Sequence, residues 1–401
     1  MKRRRDRDEQ GVTIVLVGLL AVALLVISAF TIDLGQAYVS KRNLQKAADA
    51  GALAAAQELT QFQGTCNNVA SNSTARTNAH VAADNHRQSN REDNYTASRE
   101  LDFDVRCDPE LRVLVVDYEV EGDTTSFFGP LAGGESTVTT DRRAQAIVDV
   151  APGANEGMRP LALCSASFDP TYMERSGDFV RVHFPGAGRV PPAACGGSAP
   201  GNWWLIDCPG ERTGAAGGPD GLPTQIREGC QDPVSVIPGQ TDATTPGQLT
   251  VVLEEACPTA EQYSETCMSG NPGNISQGQN AEAWKDFIDS GETALFPVFC
   301  APTSCDAVTL NGNGTNAVFP IYKLVSAVVC GFHYRNNASD KYDSTHENCA
   351  GNPYPASSDT SGNNYFVFKF STFRSSSTNA ETECALGAEC DGGLRRTRLS
   401  E

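Results

Sequence analysis

The chain has 401 residues, with 31 Lys plus Arg against 49 Asp plus Glu and a formal net charge of −18. That balance sets it against nucleic acid as a partner, because a polyanion repels a polyanion. At 40% hydrophobic and 20% charged it is neither a disordered tail nor a multi-span membrane protein, and its 37 Gly, 22 Pro and 14 Cys point to short strands and loops in two or three folding units.

Lys2, Arg3, Arg4, Arg5 and Arg7 precede an uncharged stretch from Gly11 to Ile32, interrupted only by Thr13, Ser28 and Thr31. Some 21 residues at about 1.5 Å each reach roughly 31 Å, the thickness of a bilayer's hydrocarbon core. The sequence therefore predicts a cytoplasmic leader at 1–11 and a transmembrane helix at 12–32, with the basic cluster held inside and the C-terminal part outside. The competing reading is a cleaved signal peptide. Its apolar region is shorter, about 7–15 residues, and the best cleavage candidate, Gly35-Gln36-Ala37, departs from the A-x-A pattern, so retention is favoured.

Residues 33–150 read as a helix extension plus a small α+β module. The helix runs on to about Leu59, being free of Pro and dense in Ala, Leu, Gln and Lys. Leu44, Ala47, Ala48, Gly51, Ala52, Ala55 and Leu59 form a stripe of mostly small residues at helical spacing, which permits close helix approach. Two uses are open: packing on the chain's own first domain, and docking against a partner's helix. A short helix falls within 72–90. Leu101–Val105 alternates as a half-buried strand, Val113–Val120 is its partner after the Asp108-Pro109 turn, and Val138–Val150 closes a small sheet. The apolar loop Ser126-Phe127-Phe128-Gly129-Pro130-Leu131 is read as core in preference to a contact with the membrane surface.

Small residues and a Pro at 151–155 mark a boundary. Residues 151–375 read as a mostly-β, disulfide-rich domain, with strands at Thr293–Phe299 and Val318–Cys330 and a helix near Ala281–Ser290. Residues 376–401 read as a flexible tail because no periodic apolar pattern is visible there. The expected fold class is α+β, a long membrane helix followed by a sheet module and a larger extracytoplasmic β domain.

All 14 cysteines follow the span, and their even number suits complete pairing in an oxidising space. Candidate pairs are Cys66 with Cys107, Cys300 with Cys305 and Cys384 with Cys390; the remaining connectivity stays open. Zinc is disfavoured, since no C-x-x-C occurs. No G-x-S-x-G elbow, H-E-x-x-H pair, Walker loop or EF-hand loop is present. Gly312–Ala317 fits G-x-G-x-x-A only formally, because Val318-Phe319-Pro320 follows where a helix is required, so a hairpin loop is expected. His333 and His346 flank Cys349, an arrangement disfavoured as a nucleophile and base because the cysteine count leaves no obvious free thiol. Trp203 and Trp204 are read as core before they are read as a sugar platform. No catalytic residue, cofactor or placeable metal site is expected.

The run Glu9-Gln10-Gly11-Val12-Thr13-Ile14, then Thr31-Ile32-Asp33-Leu34-Gly35-Gln36-Ala37-Tyr38 and Leu44-Gln45-Lys46-Ala47-Ala48-Asp49-Ala50-Gly51-Ala52, through Ala56, resembles the N-terminal segment of TadE/TadG-like proteins of Flp (tight adherence) pilus assembly. The resemblance, concentrated in residues 9–56, implies a non-enzymatic, single-pass envelope protein whose partners are membrane lipid and other pilus-assembly or pilin-like membrane proteins. Counting from Gly11 the fifth residue is Leu16, where processed members of this system carry Glu; this favours an anchored TadG-like component over an extracted subunit. The von Willebrand A motif D-x-S-x-S of some TadG-like proteins is absent. A surface adhesin or ligand-binding ectodomain is the alternative function, and an extracellular hydrolase a third.

Overall fold

The computed structural model describes residues 5–89, 98–151, 153–154, 156–168, 173–184, 204–206, 208, 221–231, 234–238, 249–251, 267–269, 278–299, 318–334, 340–354, 364–375, 384–388 and 390–400. Fifty-five residues without a proline build one helix, α1 (Arg5–Leu59), followed by α2 (Cys66–Ser71) and α3 (Ser73–Ser89). A meander comes next: β1 (Ser98–Cys107), β2 (Leu114–Thr125) and β3 (Thr137–Val150). The chain continues through β4 (Gly153–Ala154), β5 (Leu163–Cys164), β6 (Glu174–Ser176), β7 (Phe179–His183), helix α4 (Leu222–Glu228), β8 (Val234–Pro238), β9 (Leu249–Val251) and β10 (Cys267–Ser269). Helix α5 (Gly278–Ser290) leads into β11 (Thr293–Phe299), β12 (Val318–His333), β13 (Lys341–Tyr342), β14 (Tyr365–Phe370), β15 (Phe373–Arg374) and β16 (Leu394–Leu399).

Alternation makes the first sheet one-sided. Leu114, Val116, Tyr118 and Val120 of β2 point into a core shared with α1 and α3, while the strand pairs antiparallel with β3 from Leu114↔Val148 to Thr125↔Thr137. The order is β1-β2-β3-β16-β15. A second sheet, β5-β11-β12-β14-β7-β6, also carries β10 and β13 on β12, and a small third sheet runs β4-β8-β9. The second core is aromatic: Trp284 of α5 meets Phe366 edge-on at 5.0 Å between centroids, and Phe296 meets Phe368 at 5.3 Å. Apolar residues of 44–150 group with Cys384 and Leu386, and those of 151–368 group with Leu394.

The flexible tail expected at 376–401 is corrected over 384–400. β16 lies between β3 and β15, with Arg396 opposite Asp149 and Leu399 opposite Ala146. Two buried positions of this strand are arginines. The Arg396 guanidinium forks onto Asp149 at 2.9 and 2.7 Å, and Arg395 pairs with the buried Asp391 at 2.8 Å. Paired charges can occupy interior positions that a search for apolar periodicity leaves blank.

Candidate functional site: a helix that changes environment at Asp33

Helix α1 divides into two parts by what surrounds it. From Thr13 to Ser28 every residue is exposed, including Ile14, Leu19, Leu20, Leu24, Leu25 and Ile27. The most apolar 18-residue window of the helix has a mean hydropathy of 2.8 and no share of it is buried, so this part is long and apolar enough to cross a membrane. The exposure first drops at Ala29 and again at Asp33, where the helix hydrogen-bonds to the body. From there the inward positions follow helical spacing through Gln36, Ala37 and Ser40 to Leu44, Ala48, Ala52, Ala55 and Leu59.

The partner-docking use of the small-residue stripe is corrected by this geometry. Leu44, Ala48, Ala52, Ala55 and Leu59 are buried in the chain's own first core, Ala47 is buried too, and the facing Ala75, Ala79 and Ala83 of α3 have no exposed surface. Small side chains on both helices let the backbones approach, as they would between two chains, but here the partner is intramolecular. Gly51 shows how close the approach is: a Cβ there would stand 2.7 Å from Cδ1 of Tyr118 and 3.2 Å from the Ala83 carbonyl oxygen.

At the change of environment one carboxylate collects four donors. The Ser126 hydroxyl donates to Oδ2 of Asp33 at 2.7 Å, and the backbone N–H groups of Phe127, Phe128 and Gly129 donate at 2.9, 3.0 and 3.1 Å. The Ser126 hydrogen bond, and after it the opposing effect of burial and the three backbone donors, leave the Asp33 carboxyl below its ordinary value. Gly129 is needed at this turn, since a Cβ there would meet the Glu135 carbonyl oxygen at 2.7 Å. Consecutive N–H groups aimed at one anion form a nest that ties the β2–β3 loop to the helix. The expectation that Ser126–Leu131 belongs to the core is corrected: the loop caps Asp33, and Phe127 is 58% exposed. In the sequence Asp33 stands out only as part of the resemblance motif, because its partners lie more than ninety positions downstream.

The cysteines stitch both units. Cys66–Cys107 joins α2 to the end of β1, with S–S 2.04 Å. Cys384–Cys390 closes a short loop against the first core, and Cys208–Cys230 and Cys330–Cys349 lie in the second unit. Cys164 is disulfide-bonded as well. Cys300 and Cys305 fall outside the described residues, as do Trp203 and the Gly312–Ala317 loop. Since Cys349 is bonded to Cys330, its sulfur is not available as a nucleophile. His333 Nδ1 instead faces Asp340 Oδ2 at 2.6 Å, and His80 faces Glu100 at 2.8 Å. Trp204 is fully buried between Phe184 and Phe299, which removes it as a sugar platform. Among the described residues no group of three or more His, Cys, Asp or Glu is placed to hold a metal ion.

The fold thus joins one exposed, apolar helical stretch, long enough to cross a membrane, to a disulfide-stitched body of helices and mixed sheets. Residues 11–58 match the family model described as "Putative Flp pilus-assembly TadE/G-like". The matched segment lies within α1 and takes in both its exposed apolar stretch and the buried stripe as far as Ala55. No curated protein and no solved structure matches the chain.

Proposed function

We propose that the chain is a non-enzymatic, membrane-anchored component of a Flp/Tad-type pilus-assembly or secretion apparatus. The observation that carries this reading is the coincidence of the family match at 11–58 with a single helix whose outer part is bare and apolar. In this reading the basic residues before the span stay in the cytoplasm, 12–32 crosses the membrane once, and the units at 33–150 and 151–375 stand outside, where their disulfides form. Since the stripe is buried in the chain's own core, this reading assigns contacts with other pilus components to the lipid-embedded face of 13–32 and to the surface of the body. Purification of the full chain from detergent-solubilised membranes, followed by mass spectrometry, tests this. Pilus-assembly membrane proteins should co-purify. A preparation containing only unrelated proteins would count against it.

A further inference from the structure

We propose that the β2–β3 loop is a second membrane contact, with Phe127 seated in the interfacial layer of the bilayer beside the point where α1 leaves it. The inference rests on the membrane reading of residues 13–32 and adds a site outside that helix. Its first support is position. Three consecutive backbone N–H groups and the Ser126 hydroxyl hold the loop on Asp33, the residue directly after the apolar run, so Phe127 sits at the level where the hydrocarbon ends. The second is exposure: Phe127 is a large apolar side chain left 58% open while its backbone is fixed. The loop's neighbours on the same end of the sheet and helix are of the same kind. Val138 at the start of β3 and Leu34 on α1 are exposed, and Tyr38 stands about 8 Å further along the helix, the depth at which aromatic side chains line membrane surfaces. A third support is electrostatic. The Asp33 carboxylate is supplied with donors by the loop, which lets it lie near the bilayer surface without an unpaired charge, while Glu135, the loop's own carboxylate, is exposed to solvent. Aromatic and aliphatic groups of this sort sink about 5–10 Å into the headgroup and acyl boundary. The loop so placed fixes the tilt of the body over the membrane, because it adds a contact beside the helix.

The experiment uses the full chain in phosphatidylethanolamine and phosphatidylglycerol vesicles, with and without acyl-chain-brominated phosphatidylcholine. Tryptophan is introduced singly by Phe127→Trp, Leu24→Trp and Leu111→Trp, and emission is read as the difference from the parent protein. Leu111 is 63% exposed in the β1–β2 turn, at the far end of strands that reach roughly 35 Å at about 3.3 Å per residue. The expected result is quenching and blue-shifted emission at 127, strong quenching at 24 and none at 111, with the quenching at 127 lost when Asp33→Asn is added. Quenching at 24 without quenching at 127 overturns the inference and leaves the span intact. No quenching at 24 overturns the membrane reading and this inference together. Equal quenching at 111 and 127 also overturns it, since the body would then be lying on the bilayer without orientation.

Discussion

The two halves of α1 belong to one uninterrupted helix, yet they meet opposite surroundings. Thr13–Ile32 presents leucines, isoleucines and valines on all sides, and none of the described residues covers them. Ser40–Leu59 presents alanines and one glycine on a single face, and the chain covers that face with α3 and the first sheet. Side-chain size separates the two: bulk all round suits lipid, whereas a narrow stripe of small residues suits a backbone brought close. Asp33 stands between them and is the first residue to bond to the body.

Substitutions that act on only one half break this comparison cleanly. Leu20→Lys with Leu24→Lys places two charges near the middle of the bare half, at about 3 kcal/mol each against insertion. The double variant should leave the alkaline-washed membrane fraction, while the thermal unfolding of the body stays where it was. Replacing Cys66 and Cys107 by Ala opens a loop with a sequence separation of 41. Loop-closure entropy puts the loss at about 4 kcal/mol, seen as a lower denaturation midpoint with membrane retention unchanged. Gly51→Leu should cost about 2 kcal/mol, the clash with Tyr118 outweighing the gain in helix propensity, whereas Gly18→Leu, with nothing within 4 Å of its Cβ, should leave the body's unfolding unaltered.

The smallest effect falls on the boundary itself. Because the Asp33 carboxyl is depressed by its donors, the stability it contributes is fully present above the ordinary carboxylate range and is lost as pH falls through and below it. The protection of the Phe127, Phe128 and Gly129 amides, taken relative to intrinsic exchange at the same pH, should therefore fall on acidification in the parent chain. In Asp33→Asn protection should be lower at neutral pH and lose this further fall in acid. Equal protection in both proteins at neutral pH would mean that the loop is held by something other than Asp33.

Much of this arrangement is written locally. The apolar run at Gly11–Ile32, the Pro-free continuation to Leu59 and the alternation at Leu101–Val105 each specify an element from neighbouring residues alone, and the helix and the β1–β3 meander appear where those patterns lie. What the pattern leaves out depends on pairings far apart in the chain. β16 has arginines at buried positions, neutralised by Asp149 more than two hundred residues upstream and by Asp391 nearby, so a test for apolar periodicity passes over it. The Ser126–Gly129 turn looks like core because it is apolar, and only the distant Asp33 shows why its backbone is fixed while Phe127 stays open. The small-residue stripe fits a partner's helix or the chain's own equally well, since close packing has the same composition in either case; α3, with Ala75, Ala79 and Ala83, decides it.

The central claim is that residues 13–32 cross the membrane once and hold the body on the side opposite the basic N-terminus. Sealed right-side-out vesicles from cells expressing the full chain, with one epitope before Met1 and another after Glu401, test it directly by antibody binding before and after detergent. The account predicts that the C-terminal epitope binds at once and the N-terminal epitope only after detergent. Binding of both before detergent, or a soluble chain lacking its first 37 residues, would contradict it.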